Sequence, residues 1–200
     1  MLIRLAESKD VPVVMGIVAR CVRDLLAQGI DQWDEVYPDE ETLREDVQSG
    51  SLFVAEQEGK IVGAVALSDE QPEQYRAVPW RCHDDRALVV HRLCVDPDHQ
   101  REGIGRRMME FAETQARRHG FRSIRLEVYP TAAAAVTLYV RLGYLRVGEV
   151  RFPRRRLAFD CMELLLPEKS GPSRAPEPKL LPATPPAGQG GMPAGGGGQF

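Results

Sequence analysis

The stretch VDPDHQREGIGRRMM, from Val95 to Met109, carries two glycines, Gly103 and Gly105, where a strand gives way to a helix. A helix that starts there aims several unpaired backbone N–H groups at one spot, and its dipole adds roughly half a positive charge. Glycine at both positions removes the Cβ atoms that would hold a pyrophosphate away from the backbone. Arg101, Arg106 and Arg107 add cationic side chains at the rim. The spacing therefore predicts an anion site. It lacks the G-K-[ST] ending of a nucleoside triphosphate loop, and it has neither the third glycine nor the later acid of a dinucleotide fold, so neither ATP nor NAD is favoured. Taken alone, a G-x-G of this kind is more simply a helix start with a solvated basic face.

The elements that must position this loop follow from periodicity. LIRLA reads as a strand, and Ser8 offers an N-cap to a helix that runs to Gly29. DEETLREDVQSG opens with acids and stops at glycine, as a short helix does. Two β-prone runs flank Glu58-Gly59-Lys60, an antiparallel hairpin, and Glu70 to Arg86 has no periodicity, a surface loop. ALVVHRLCV is apolar enough for the centre of a sheet. From Gly103 to His119 apolar residues recur at Ile104, Met108, Phe111, Ala112 and Ala116, and Gly120 ends that helix. FRSIRLEVY is a strand, AAAAVTLYVRLG a helix closed by Gly143, and YLRVGEV with RLAFDCMELLL a closing pair of strands. The predicted order is β-α-α-β-β-β-α-β-α-β-β, an α/β fold.

Two hundred residues, 43% of them hydrophobic and 28% charged, suit one domain with a substantial core, expected over residues 1–167. From residue 168 to 200 Pro, Gly, Ser and Ala dominate, too little apolar area to offset ordering entropy, so a disordered tail without catalytic role is expected. A net charge of −3 and a pI near 5.9 give no global ground for a nucleic-acid partner. Cys21, Cys82, Cys94 and Cys161 form no C-x-x-C pair, so no metal site is expected and buried reduced thiols are the simpler reading. The N-terminus has no apolar core behind a basic start and no run reaches membrane-span length, which predicts a cytoplasmic protein without a membrane partner.

The pattern Q-x-x-G-x-G at Gln100, Gly103 and Gly105, preceded by LCVDP and followed by AVTLYVRLGY, resembles the GNAT superfamily of acyl-CoA-dependent N-acetyltransferases. The likeness covers roughly Leu2 to Leu166. It implies a mixed, mostly antiparallel sheet flanked by helices, with acetyl-CoA as co-substrate and no metal. It assigns Gln100, Arg101, Glu102, Gly103, Ile104, Gly105 and Arg106 to the CoA pyrophosphate. It further implies that the fourth strand splays from the fifth, so that the pantetheine arm pairs with backbone of Leu93, Cys94 and Val95. One departure stands out: where the family commonly has asparagine early in the next helix, this sequence has Ala132, with Thr131 beside it as a substitute cap or hydrogen-bonding group.

Acetyl transfer from a thioester to an amine needs a neutral amine, a donor for the developing oxyanion and a proton for the departing thiolate. An alkylamine with a pKa of about 10.4 is almost wholly protonated at neutral pH, so some group must accept its proton. Tyr139 occupies the family's tyrosine position in LYVRLGY and is the expected donor to the thiolate, unless it merely packs under the sheet. Backbone N–H near Cys94 or Val95 would serve the oxyanion. For the base the candidates are Glu127, a lone glutamate in RLEVY whose pKa burial would raise, and His91 on the fourth strand. Each is equally readable as an outward-facing strand residue.

Acceptor choice is expected from GIDQWDEVYPDE and DEQPEQYRAVPWRCHDD. Trp33 and Tyr37, with Asp31, Asp34 and Glu35, would suit a cationic amine through cation–π and charge attraction, or the two aromatics simply pin the loop. The run Arg151, Arg154, Arg155 and Arg156 would attract an acidic acceptor, or is a solvated hairpin face. Small-molecule and peptide amines both stay open, as does a homodimer through the closing strands. A non-catalytic acyl-CoA sensor is the alternative class; it would need the loop but neither Tyr139 nor Glu127.

Overall fold

The computed structural model describes residues 1–34, 36–83 and 86–167; Glu35, two acids of the loop before the fourth strand, and the expected tail from 168 to 200 lie outside them. The elements are β1 (Leu2–Leu5), α1 (Val11–Ala27), α2 (Glu40–Gln48), β2 (Leu52–Gln57), β3 (Lys60–Ser68), β4 (Ala87–Val95), α3 (Ile104–Arg118), β5 (Ser123–Val128), α4 (Ala133–Arg141), β6 (Leu145–Val150) and β7 (Phe159–Leu165). This is the order the periodicity predicts. The strands form one seven-stranded sheet in the order β1-β2-β3-β4-β5-β7-β6, antiparallel throughout except where β4 meets β5.

Side-chain alternation gives the sheet two faces. Leu52, Val54, Ala64 and Ala66 meet Val14, Ile17 and Val18 of α1 and Leu43 of α2 on one face. Phe53, Ala55, Val65 and Leu67 meet Ile104, Met108 and Ala112 of α3 on the other. Met109, outside the expected apolar spacing of α3, is also fully buried. The β2–β3 hairpin turns on Glu58 and Gly59, both at positive φ (52° and 75°), the geometry that matches the twist of the strands it joins. Gly63 is needed for contact: a Cβ there would stand 2.8 Å from the carbonyl oxygen of Cys94, and β3 could not lie so close to β4.

Two local expectations need correction. Ser8 is not the cap of α1; it lies inside a 3-10 turn, Ser8–Asp10, where the Asp10 carboxylate accepts the Glu7 backbone N–H at 2.8 Å. The cap position belongs to Glu7, and the acid three residues on reaches back to its backbone N–H as the second half of a capping box does. The stretch from Glu70 to Arg86 is not a surface loop. Tyr75, Val78 and Trp80 in it are 2%, 7% and 7% exposed, and Glu73–Ala77 forms a 3-10 turn. It packs over β5 and β7, where Arg125 and Glu163 anchor it, so its apolar residues follow the surface beneath and show no period of their own.

Candidate active site

β4 and β5 pair in parallel only from Ala87 to Val89 against Ser123 to Arg125. Beyond that the two strands separate, with β4 continuing to Val95 and β5 to Val128. A bulge in β4 accompanies the separation: Ala64 faces Cys94 and Ala66 faces His91, so Arg92 and Leu93 together oppose Val65. Arg92 takes φ 53°, an uncommon conformation for a side-chain-bearing residue. Its guanidinium is held by both oxygens of Asp46 on α2, at 2.7 and 2.6 Å, and donates to the Tyr37 hydroxyl at 2.9 Å. Neighbouring structure over-determines the strained residue, as persistence of such a conformation requires.

The separation opens a cleft of about 1060 Å³. It brings together Leu93, Cys94 and Val95 of β4, Gln100, Arg101, Gly103, Ile104, Gly105 and Arg106 of the glycine loop, Ala132 and Tyr139 of α4, and Trp33 of the α1–α2 connection. Glu102, Glu127, His91 and Tyr37 do not line it. Gln100 Nε2 donates to the Val95 carbonyl at 3.3 Å and ties the loop to the end of β4. Arg20 reaches from α1 to Asp96 (Nε to Oδ1, 3.2 Å), and the Cys21 thiol donates to the same Val95 carbonyl at 3.3 Å.

Gly103 is the N-cap of α3, at φ 80°, and no side chain caps that helix end. The N–H groups of Ile104, Gly105 and Arg106 therefore have no helical acceptor, and no acid in the first turn opposes an incoming anion. Nothing lies within 4 Å of where a Gly103 Cβ would stand, whereas Gly105 faces Leu138 and Val95. The loop is an open cradle on the outside and closely packed within, which fits a pyrophosphate lying across it.

Tyr139 is 7% exposed and lines the cleft; among the described residues nothing hydrogen-bonds its hydroxyl. Burial, with the nearby Glu127 charge, pushes its pKa above the ordinary phenol value, so it enters the cleft as a neutral donor. The registers Ser68↔Val89, Ala66↔His91 and Val89↔Arg125 place His91 and Glu127 on the α1 face of the sheet. Both are half-buried. Burial, reinforced by the Arg92 charge, takes His91 down to about 4, which leaves it neutral. Burial raises Glu127 above the usual carboxylate range, and a hydrogen bond from the Tyr75 hydroxyl works in the opposite direction. The thiols of Cys21 and Cys94 are also raised by burial, Cys21 to about 11, so neither is a thiolate nucleophile at neutral pH.

Beside the cleft, Asp31 and Asp34 of the α1–α2 connection are already paired. Asp34 accepts from Arg155 at 2.6 Å, and Asp31 accepts from Arg156 at 3.1 Å and from the Tyr129 hydroxyl. Two residues of the arginine run thus clasp the β6–β7 connection to the α1–α2 connection. Ala132, 6% exposed, is the N-cap of α4 without a side-chain bond, and Thr131 supplies only its carbonyl, to Ala133 N–H at 2.9 Å. Among the described residues no group of three or more His, Cys, Asp or Glu is placed to hold a metal ion, and no helix is long and apolar enough to cross a membrane.

Residues 19–144 match the family model of the acetyltransferase (GNAT) family. The chain belongs to that family. Solved GNAT structures overlay closely in fold: an acetyltransferase of Streptococcus agalactiae at TM-score 0.73, with 20% identity over 84% of this chain and 96% of that one, and YncA of Salmonella typhimurium, solved with its cofactor acetyl-CoA, at 0.63, with 23% identity over 86% and 98%. In sequence, the uncharacterised N-acetyltransferase YesJ of Bacillus subtilis is 23% identical over 72% of this chain and 81% of its own. The [ribosomal protein bS18]-alanine N-acetyltransferase of Escherichia coli is 40% identical, over 28% of this chain and 38% of its own.

For a GNAT chain, the residues that sequence reasoning missed are Arg92 and Tyr75. Arg92 gives a signal in retrospect, a lone arginine inside VVHRLCV; Tyr75 gives none, because it sits in a stretch without period.

Proposed function

We propose that this GNAT protein transfers an acetyl group from acetyl-CoA to a primary amine of a small molecule or peptide by direct attack. The observation that carries the reading is the convergence of the uncapped N-terminus of α3, the splayed end of β4 and Tyr139 on one cleft. The cradle at Gln100 to Arg106 suits the pyrophosphate, and the open edge of β4 from Leu93 to Val95 suits an amide-bearing arm. Bound there, acetyl-CoA supplies an activated acetyl thioester whose leaving group is a thiolate.

Glu127, which stands behind the cleft lining, accepts the proton of the incoming amine through water; its raised pKa makes it a better base than His91, which burial holds near 4. The amine nitrogen bonds to the acetyl carbon as the carbon–sulfur bond breaks, with backbone N–H at the β4 bulge stabilising the oxygen. Tyr139 donates its hydroxyl proton to the departing sulfur. Trp33, buried at the end of the cleft, provides an aromatic wall for the acceptor, while Tyr37 fixes the rim through Arg92.

The test is thiol release from acetyl-CoA with a panel of amines: an N-terminal peptide, a free amino acid, a polyamine and an aminoglycoside. Amine-dependent release that drops on Tyr139→Phe, with acetyl-CoA affinity retained, is expected. Cofactor binding without release from any amine would favour the sensor alternative, and unchanged turnover in the variant would remove Tyr139 from the mechanism.

A further inference from the structure

We infer that Tyr75 is a positioning residue for Glu127: its buried hydroxyl donates to the carboxylate, and a knot built around Arg125 and Glu163 exists to hold it there. The inference rests on the reading of Glu127 as the base and adds a residue that this reading does not require. Tyr75 is 2% exposed, and its hydroxyl donates to Glu127 Oε2 across 52 positions of sequence. A phenol buried in the loop before β4 is expensive to orient unless its polar tip is satisfied, and here the satisfying group is the base itself.

The knot is continuous from Tyr75 to the far strand. Trp80 Nε1 donates to the Tyr75 carbonyl at 3.0 Å, and the two rings lie 4.8 Å apart. The Arg125 guanidinium sits 4.6 Å over the Trp80 ring. It donates to Glu163 Oε1 at 3.2 Å, to Gln71 Oε1 at 2.6 Å and to the Cys82 carbonyl at 2.5 Å. Glu163 is fully buried on β7 and also accepts the Arg81 N–H at 2.7 Å. A buried carboxylate, a buried guanidinium and two aromatic rings thus fix one short segment, and its contribution to the site is a single hydroxyl on Glu127.

The consequence is electrostatic. Burial favours the protonated, inert form of Glu127; the Tyr75 bond favours the ionised form that can accept a proton. The other groups that interact electrostatically with this carboxylate are Arg92 from β4, Tyr139 from α4 and Cys161 from β7, and His91 on β4 and Arg125 on β5 share its face of the sheet. Tyr75, with its own pKa pushed well up by burial, stays a donor across the working range. Only the Tyr75 bond is removed by deleting one oxygen.

The experiment uses the full chain with Tyr75→Phe, which keeps the ring stacked on Trp80, and Glu127→Gln as reference. The carboxyl band that disappears from the pH-difference infrared spectrum in Glu127→Gln belongs to Glu127 and needs no acceptor to observe. In Tyr75→Phe its midpoint is expected to move up by roughly one pH unit, the scale of a lost hydrogen bond to a charged group. Turnover with whichever amine of the panel reacts is expected to fall about tenfold on the acidic limb of the pH profile, mostly in kcat, and to recover as the pH is raised through the new midpoint. A midpoint that stays in place while the thermal midpoint falls would overturn the inference and leave Tyr75 as packing. Wild-type turnover in Glu127→Gln would instead overturn the general-base reading, a separate outcome with a separate readout.

Discussion

Tyr139 on α4 lines the cleft and Glu127 on β5 lies close enough for its charge to raise the tyrosine's pKa, and in the proposed reaction the first is the acid and the second the base. Loss of the Tyr139 hydroxyl is expected to lower kcat by 10²-fold or more, the usual scale for general acid catalysis, with acetyl-CoA affinity unchanged by thermal shift. Glu127→Gln is expected to remove the acidic limb of kcat/KM against pH, since activity rises as pH climbs through the raised pKa of the carboxylate that must be ionised. Both side chains were legible in the sequence, Tyr139 from the motif that surrounds it and Glu127 as a lone acid among strand residues. The hydroxyl that serves Glu127 was not, because a contact across 52 positions leaves no local trace. Asp31 and Asp34 read as cation-attracting acids in sequence; folding gives them arginines from 121 or more positions away.

Among the elements, three constructions keep the cleft in shape. The Arg92 clamp to Asp46 fixes the β4 bulge, and both side chains are nearly buried. Asp46→Ala would leave that guanidinium uncompensated, so a loss of about 3–5 kcal/mol in urea unfolding is expected, with weaker acetyl-CoA binding in the folded fraction. The glycine loop depends on Gly103 at φ 80°: Gly103→Val costs about 1–2 kcal/mol in backbone strain and places a branched side chain where the anion must lie, so acetyl-CoA binding falls much further than stability. The clasp between Asp34 and Arg155 has an acid limit. The Arg155 hydrogen bond holds the Asp34 carboxyl down to about 2, below its ordinary value near 3.9. A depressed folded pKa stabilises the fold above the ordinary value and loses that contribution as pH falls towards the depressed one. The thermal midpoint should therefore drop between about pH 4 and pH 2, and less steeply in Asp34→Asn. The clasp was hidden from sequence because both partners lie in aperiodic connections, whereas the helix start at Gly103 announced itself through glycine and strand context.

For the whole molecule, element order came from periods of 2 and 3.6 together with cap, turn and glycine-stop signals, and every strand and α-helix of the described residues appears in the predicted order. Strand order could not be read that way. Insertion of β7 between β5 and β6, and the parallel contact that fails after Val89, are decided by packing between distant segments. The stretch from Glu70 to Arg86 was misread for the same reason: it has no face of its own and takes its shape from β5 and β7. The family's asparagine is replaced by a buried alanine, yet the cradle, the splay and the tyrosine converge without it. The measurement that tests this convergence most directly is the thermal midpoint of the full chain with acetyl-CoA, free CoA, ATP or NADH, beside Gly103→Val. Ligand at a hundred times its dissociation constant adds about 2.7 kcal/mol, a rise of roughly 5–10 °C for a domain of this size. The account predicts that rise with the two CoA species alone, and its loss in the variant. A midpoint indifferent to both CoA species, or raised equally by ATP, would contradict it.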